Sequence, residues 1–374
     1  MDFSEYNSGK YEVVDKVKCL TPSTINVEWS WNDTQINYLL SKASYYLGVL
    51  NTIKDFLPSA NFFVSGTIMQ EAIKSNEIEG TRTELEEVLD SDEHSNPKTD
   101  EVRNYMEAAH KAFVTLLDGK SKGLTEELLL STHAEMLGIK KTKYKTVQNW
   151  IGGSSKYDAR FTPAPPKEVK RLMKDLFDFL NNDTNDVPDL VKIAIAHYQL
   201  ETIHPFDDGN GRIGRILIPM YLIHTKMIDF PLFVSSFLAD ERRNYYDNLD
   251  RVRTDNDLNH WVKFFLNAIK ESAKKTIKTI EGVHRLMEHG ADIIKETYGA
   301  KNANAFELLH LIFRLPKIRS KTVVKELGVS AATANSLLKN FEEAGILVEK
   351  TGNQRNKVYW FKGYIELITE VNHE

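Results

Sequence analysis

Apolar residues return at helical spacing along most of this 374-residue chain, and a chain patterned this way buries its core by packing helix against helix. Val102, Tyr105, Met106, Ala109 and Phe113 make one such stripe; Val169, Leu172, Met173, Leu176, Phe177 and Leu180 make another. The same period runs from about Asn37 to Leu57 and from Ser65 through Glu79, breaks at Gly80 and Thr81, and resumes from Glu84 to Leu89. The expected fold class is mainly α. The polar run from Asp90 to Pro97 reads as an exposed connection, so residues 1–95 form an N-terminal helical region and 96–290 one large helical body.

Two stretches depart from this pattern. From Gln148 to Pro163, short extended segments flank Gly152-Gly153-Ser154-Ser155, which predicts a β-hairpin flap, and Pro163, Pro165 and Pro166 then start a helix. Over residues 300–374, a short helix from Thr322 to Leu327 stops at Gly328. Ser330 can cap a second helix whose stripe is Ala334, Leu337, Leu338 and Phe341, and Gly345 can end it. β-like runs from Ile346 to Glu349 and from Val358 to Phe361 follow, so the expected unit is a winged helix-turn-helix.

Composition narrows the class of function. A net charge of −5 creates no global basic field that would favour wholesale nucleic-acid or anionic-membrane binding. The single cysteine, Cys19, excludes an intrachain disulfide and a Cys/His metal cage and suits a reducing cytoplasm. The N-terminal residues lack the apolar core of a signal peptide, and no apolar run is long enough to span a bilayer; a soluble cytoplasmic protein is expected.

The chemistry concentrates between His204 and Arg215. Gly209-Asn210-Gly211 can turn successive amides toward one anion, and the helix that follows presents its positive end to the same place. Ile213, Ile216, Leu217 and Met220 form that helix's apolar stripe and leave Arg212 and Arg215 near the loop, where their planar forks suit phosphate. Asp208 is a hard oxygen ligand beside the nest and suits Mg²⁺ shared with phosphates. His204 titrates near neutrality and can take a hydroxyl proton. Each feature alone is ordinary: a helix-terminal histidine, a turn, a solvated arginine pair. Together within twelve residues they make a phosphoryl or nucleotidyl transfer site.

This segment, His204-Pro205-Phe206-Asp207-Asp208-Gly209-Asn210-Gly211-Arg212 through Arg215, resembles the signature HxFx(D/E)GNGRxxR of the Fic (filamentation induced by cAMP) family at every specified position. The likeness extends over roughly residues 30 to 270, taking in the Gln148–Pro166 flap, Ala194 to Glu201, and Arg243 to Leu249. It implies a Fic-type helical bundle and a protein adenylyltransferase using ATP. In that reading His204 deprotonates a Ser, Thr or Tyr hydroxyl of a target protein, and Asp208 holds Mg²⁺. Gly209, Asn210, Gly211, Arg212 and Arg215 bind phosphates, and Phe206 anchors the loop. The flap, with Trp150, Ile151, Gly152 and Gly153, aligns the target as an added strand. A Doc-like branch that phosphorylates its target has Ala-Asn-Lys-Arg in place of Gly209-Asn210-Gly211-Arg212, so nucleotidyl transfer is favoured. The family places a tyrosine near Tyr245 or Tyr246 at the adenine, which makes Tyr246 an ATP contact. A tyrosine pair on an amphipathic helix is more often core packing, and where some relatives carry Asn this chain has Arg253.

Ser75-Asn76-Glu77-Ile78-Glu79-Gly80 matches the family's inhibitory pattern (S/T)xxxE(G/N). The resemblance implies a self-inhibited enzyme in which Glu79 pairs with Arg215 and occupies the γ-phosphate region, with auto-modification when released. Some Fic enzymes use this glutamate to activate water and remove AMP, an alternative reading.

Residues 301–374 carry 11 Lys/Arg and 8 Asp/Glu, a charge of +3 against −8 for the rest of the chain. Arg314, Lys317, Arg319, Lys321 and Lys325 follow one another without an intervening acid, and Thr333, Asn335, Ser336, Lys339 and Asn340 face away from the apolar stripe. DNA is one expected partner of this unit. Pairing two copies as a homodimer, or docking a target, is the other use of such a module. A DNA-binding transcriptional regulator whose helical body senses nucleotide therefore stands as the second function hypothesis.

Overall fold

The computed structural model describes residues 1–14, 16–57, 60–90, 96–119, 123–299 and 302–369. Ser91 to Ser95 of the expected polar connection, and Ala300 and Lys301 at the expected start of the C-terminal unit, lie outside these residues. The chain divides into two compact units. The first comprises Met1–Gly48 and Glu71–Lys274, the second Val49–Gln70 and Lys275–Glu374.

In chain order, a hairpin of β1 (Gly9–Val14) and β2 (Val17–Pro22) is followed by α1 (Thr34–Ile53), α2 (Ala60–Ile78), α3 (Leu85–Asp90), α4 (Pro97–Leu117) and α5 (Glu126–Met136). Next come α6 (Pro166–Leu180), α7 (Asp189–Ile203), α8 (Asn210–His224), α9 (Ser235–Asp240), α10 (Arg242–Asp255) and α11 (Leu258–Tyr298). The hairpin is a departure from the expected N-terminal helical region. Its antiparallel register runs from Gly9 opposite Pro22 to Val14 opposite Val17. Each strand is only six residues long, too short for a helical template to register, and here Val17, Cys19 and Leu20 of β2 are buried.

The core of the first unit is α7, in which every residue from Leu190 to Ile203 is buried. A helix apolar on nearly all sides can exist in water only when wrapped, and α6 and α8 pack on it while α4 and α5 pack on α8. Its histidine is satisfied internally: His197 shares its ring nitrogens with the Gly214 carbonyl at 3.0 Å and the Tyr245 hydroxyl at 2.9 Å. The helix N-termini carry the expected devices, with Asn96 making a reciprocal cap on α4 and Thr125 capping α5.

In the second unit, α12 (Ala303–Arg314), β3 (Lys317–Arg319), α13 (Ser320–Leu327), α14 (Ala331–Glu343), β4 (Val348–Glu349), β5 (Val358–Trp360) and α15 (Lys362–Thr369) follow one another. The three strands form an antiparallel sheet in the order β3-β5-β4. Ile312, Phe313, Ile318, Val323, Leu338 and Phe341 fill its core. Among the described residues, no helix is long and apolar enough to cross a membrane.

Candidate active site

The junction between α7 and α8 builds the site. Helix α7 stops because His204 takes a left-handed backbone (φ +51°), unusual for a residue with a Cβ, and closes the last turn through its N–H to Leu200 O at 2.9 Å. Backbone strain of this kind persists where surrounding structure over-determines it. Here, Asn149 donates to His204 O at 3.2 Å and to Phe206 O at 2.8 Å. The Lys145 N–H donates to Pro205 O at 2.8 Å and its ammonium to Ile203 O at 3.3 Å. The Asn210 side chain brackets Phe206, accepting from its N–H and donating to its carbonyl.

His204 itself is half-buried, and its Nδ1 is buried without a partner among the described residues, leaving Nε2 for a substrate hydroxyl. Burial, reinforced by the cations Lys145 and Arg253, pushes its pKa well below the ordinary histidine value. The ring is therefore neutral at pH 7 and able to accept a proton.

Gly209 begins α8 with φ +76°, and no side chain caps this helix. The first-turn N–H groups are thus left for an anion. A side chain at Gly209 is doubly excluded, since a Cβ there would meet Met136 Cε at 2.8 Å. Arg212 and Arg215 are both buried. Arg212 donates to Asp208 Oδ2 at 3.0 Å and to Asn76 Oδ1 at 3.3 Å, with Glu101 at 3.7 Å. Arg215 donates to the Ser75 hydroxyl at 2.8 Å, to Ser75 O at 3.0 Å and to Glu79 Oε1 at 2.7 Å. The same Glu79 oxygen lies over Gly211, 2.2 Å from where a Cβ would stand. The end of α2 thus lies on the first turn of α8, and Arg242 holds it there by donating to Ile78 O at 2.9 Å.

Two family models match this chain: the Fic/DOC family over residues 123–222 and the Fic/DOC family N-terminal region over residues 38–114. These two regions of the chain are Fic/DOC family sequence. The chain is 29% identical over 168 residues to the protein adenylyltransferase fic-1 of Caenorhabditis elegans, covering 44% of this chain and 30% of that protein. It is 26% identical over 299 residues to a probable protein adenylyltransferase of Aquifex aeolicus (strain VF5), covering 77% of this chain and 82% of that one. The match thus spans under a third of the nematode relative's length. In fold it is similar to a Fic family protein from Desulfovibrio desulfuricans G20, with a TM-score of 0.58 at 21% identity, covering 88% of this chain and 96% of that one.

Of the Fic residues named from sequence, the structure gathers His204, Asp208, Gly209, Asn210, Gly211, Arg212, Arg215 and Glu79 around one loop. The flap is reduced from two strands to a single antiparallel bridge between Ile151 and Phe161, with N–H to O distances of 2.9 and 3.1 Å. Gly152 (φ +67°) and Gly153 (φ +75°) turn the chain, and Asp158 binds the turn by accepting from Ser154 and Ser155. Trp150 is exposed. The tyrosine pair separates: Tyr245 is a core residue on His197, whereas Tyr246 is half-buried with the Arg242 and Arg160 guanidiniums near its ring. Arg253 stacks on Phe161, 3.8 Å from the ring centre, and donates to Thr202 and Glu201 O.

Sequence reasoning missed the residues that hold the loop. His133 of α5 stacks on Phe206 with ring centres 3.8 Å apart and reaches Asp208 O at 2.9 Å through Nε2. Since a carbonyl only accepts, Nε2 carries the proton, and Nδ1 accepts from Thr142 at 3.0 Å. Lys145, buried and pushed down to about 7 by that burial, anchors the flap by donating to Asn149 at 2.6 Å. Glu201 is buried, and a Cβ at Gly214 would meet its carboxyl at 2.5 Å. Burial raises its pKa to about 7, with Arg215 opposing the rise. None of these lies within the motif, and a single histidine, lysine or glutamate outside it carries no sequence signal of a site.

Proposed function

We propose that this chain transfers AMP from ATP to a Ser, Thr or Tyr hydroxyl of a protein, and that Glu79 on Arg215 holds it inactive. The observation that carries the reading is Glu79 seated on Arg215, above the uncapped helix start that leads from the neutral His204.

The chemistry follows from the loop. The α- and β-phosphates take the N–H groups of the first turn of α8, and Arg212 and Arg215 supply permanent positive charge. His204 Nε2 takes the proton of the target hydroxyl. That oxygen forms a bond to the α-phosphorus as the bond to pyrophosphate breaks, so AMP goes to the target and pyrophosphate leaves. Asp208 is exposed and, among the described residues, no cluster of three or more carboxylates, histidines or cysteines could hold a metal ion. One hard oxygen fits a Mg²⁺ held chiefly by phosphates, and when bound that ion neutralises phosphate charge. Asp208 would leave Arg212 to hold it. Tyr246 stands at the adenine, and the backbone of Trp150 to Gly153 takes the target segment as an added strand.

With Glu79 in place the γ-phosphate cannot reach Arg215, so the α-phosphorus is not presented to His204. The test is incubation of the chain and its Glu79→Gly variant with ATP labelled on the α- or the γ-phosphorus, using the chain itself as acceptor. α-Label retained on protein supports the reading; γ-label retained shows phosphorylation and overturns it. A Glu79 variant that instead loses the ability to remove AMP from a modified protein would favour hydrolysis as the reaction.

A further inference from the structure

We infer that the C-terminal part of the chain binds double-stranded DNA, with α14 in the major groove and the β4–β5 loop on the adjacent backbone. This is independent of AMP transfer, since it uses none of the residues around His204.

The order α12-β3-α13-α14-β4-β5, with strand order β3-β5-β4, is that of a helix-turn-helix completed by a β-wing. Gly328 (φ +66°) ends α13, and Ser330 caps α14 by accepting from the Thr333 N–H at 3.1 Å, so the turn between the helices is tight and defined. Helix α14 buries Ala334, Leu337, Leu338 and Phe341. Two positions behind each lies the opposite stripe, Ala332, Asn335, Ser336 and Lys339, and all four are exposed.

That stripe has the chemistry of groove readout. It contains no acid, Ala332 allows close approach, and an amide, a hydroxyl and an ammonium are the groups that pair with base edges. Lys339 forms an ion pair with Glu343 at 3.2 Å, but both side chains are largely exposed, so a phosphate can replace the glutamate at little cost.

The wing is shaped to the same end. Its acid, Glu349, is turned onto the wing's own backbone, accepting from the Thr351 N–H at 2.7 Å and the Gly352 N–H at 2.9 Å. From Thr351 to Asn356 every residue is exposed and none is acidic, while Arg355 and Lys357 supply charge. On α13, Lys321 and Lys325 are exposed one turn apart, and the neighbouring Glu326 is already paired with Arg314 at 2.5 Å. Cations thus flank the polar stripe on both sides in sequence, which is the arrangement for phosphates on either side of a groove. A duplex of RNA is disfavoured because its major groove is too narrow for a helix.

The test is fluorescence anisotropy of the full chain with a fluorescein-labelled random-sequence DNA duplex of about 30 base pairs between about 50 and 200 mM salt. Binding should weaken steeply with salt. The double variant Arg355→Glu, Lys357→Glu should weaken it by about tenfold or more at the low-salt end, with the circular dichroism spectrum unchanged. Asn335→Ala should remove the sequence preference obtained by selecting tight binders from the random pool, while retaining salt-dependent binding. His204→Ala should bind DNA as the parent does. Absence of binding at low salt, affinity unmoved by the wing substitutions, or equal binding of an RNA duplex would each overturn the inference.

Discussion

Glu79 and Arg215, 136 positions apart in sequence, meet at 2.7 Å, and the guanidinium side of that pair is 1% exposed while the carboxylate side is 38% exposed. The asymmetry separates two consequences that a fully buried pair would merge. Replacing Glu79 by Gly should cost about 1 kcal/mol of stability or less, because solvent already screens the carboxylate and Ser75 still holds Arg215. The same substitution should raise auto-modification by about tenfold or more, an effect worth 1.4 kcal/mol per decade. Urea unfolding beside α-labelled ATP incorporation checks both. A large stability loss with no gain in labelling would remove the brake.

His204→Ala should abolish incorporation in the Glu79→Gly background. In the same background, a neutral His204 predicts a rate that varies less than about twofold between pH 8 and 6, because the lowered pKa moves loss of the base to more acid pH. A falling limb centred near 6.5 in initial rates would show the histidine behaving as an exposed one.

His133→Ala removes the donor to Asp208 O and the ring on Phe206, which loosens the nest without touching ATP. The expected result is a rise in KM for ATP with kcat/KM down by about fivefold, the equivalent of one hydrogen bond. His133→Asn keeps a donor and should recover part of the loss. Unchanged KM for both variants would show the nest to be held without this residue.

Acid stability turns on His197. Burial pushes its folded pKa to about 3, against 6.5 when exposed. Between those values the unfolded chain binds a proton that the folded chain does not, so its contribution is fully present above pH 6.5 and is lost as pH falls, by about 1.4 kcal/mol per unit. Urea unfolding should show the parent losing about 2 kcal/mol more than His197→Gln between pH 7.5 and 5. Parallel losses would place the acid sensitivity elsewhere.

The helical class, the stripes of α4, α6, α8 and α14, and the loop from His204 to Arg215 were all legible in the sequence, because each rests on spacing within a single turn or helix. Glu79 was legible only through the family likeness: by itself it is a charged residue near a helix end. The N-terminal hairpin escaped because its two strands are short and their burial does not alternate regularly. The flap was anticipated at the right residues, but only one bridge forms, since the chain between Ile151 and Phe161 is taken up by a turn in which the Ser154 and Ser155 N–H groups donate to the Asp158 carboxylate.

What the sequence determined by itself is therefore local: which segments coil, and which side chains near Gly209 suit a phosphate. Tertiary structure decided the rest. It placed His133 under the nest, Lys145 and Asn149 on the carbonyls of the loop, and Glu79 on Arg215, contacts between residues tens of positions apart. Periodicity carries no information about such pairs. They exist because burying α7 and α8 forces α2, α5 and the flap into one neighbourhood, and only there do their side chains acquire partners.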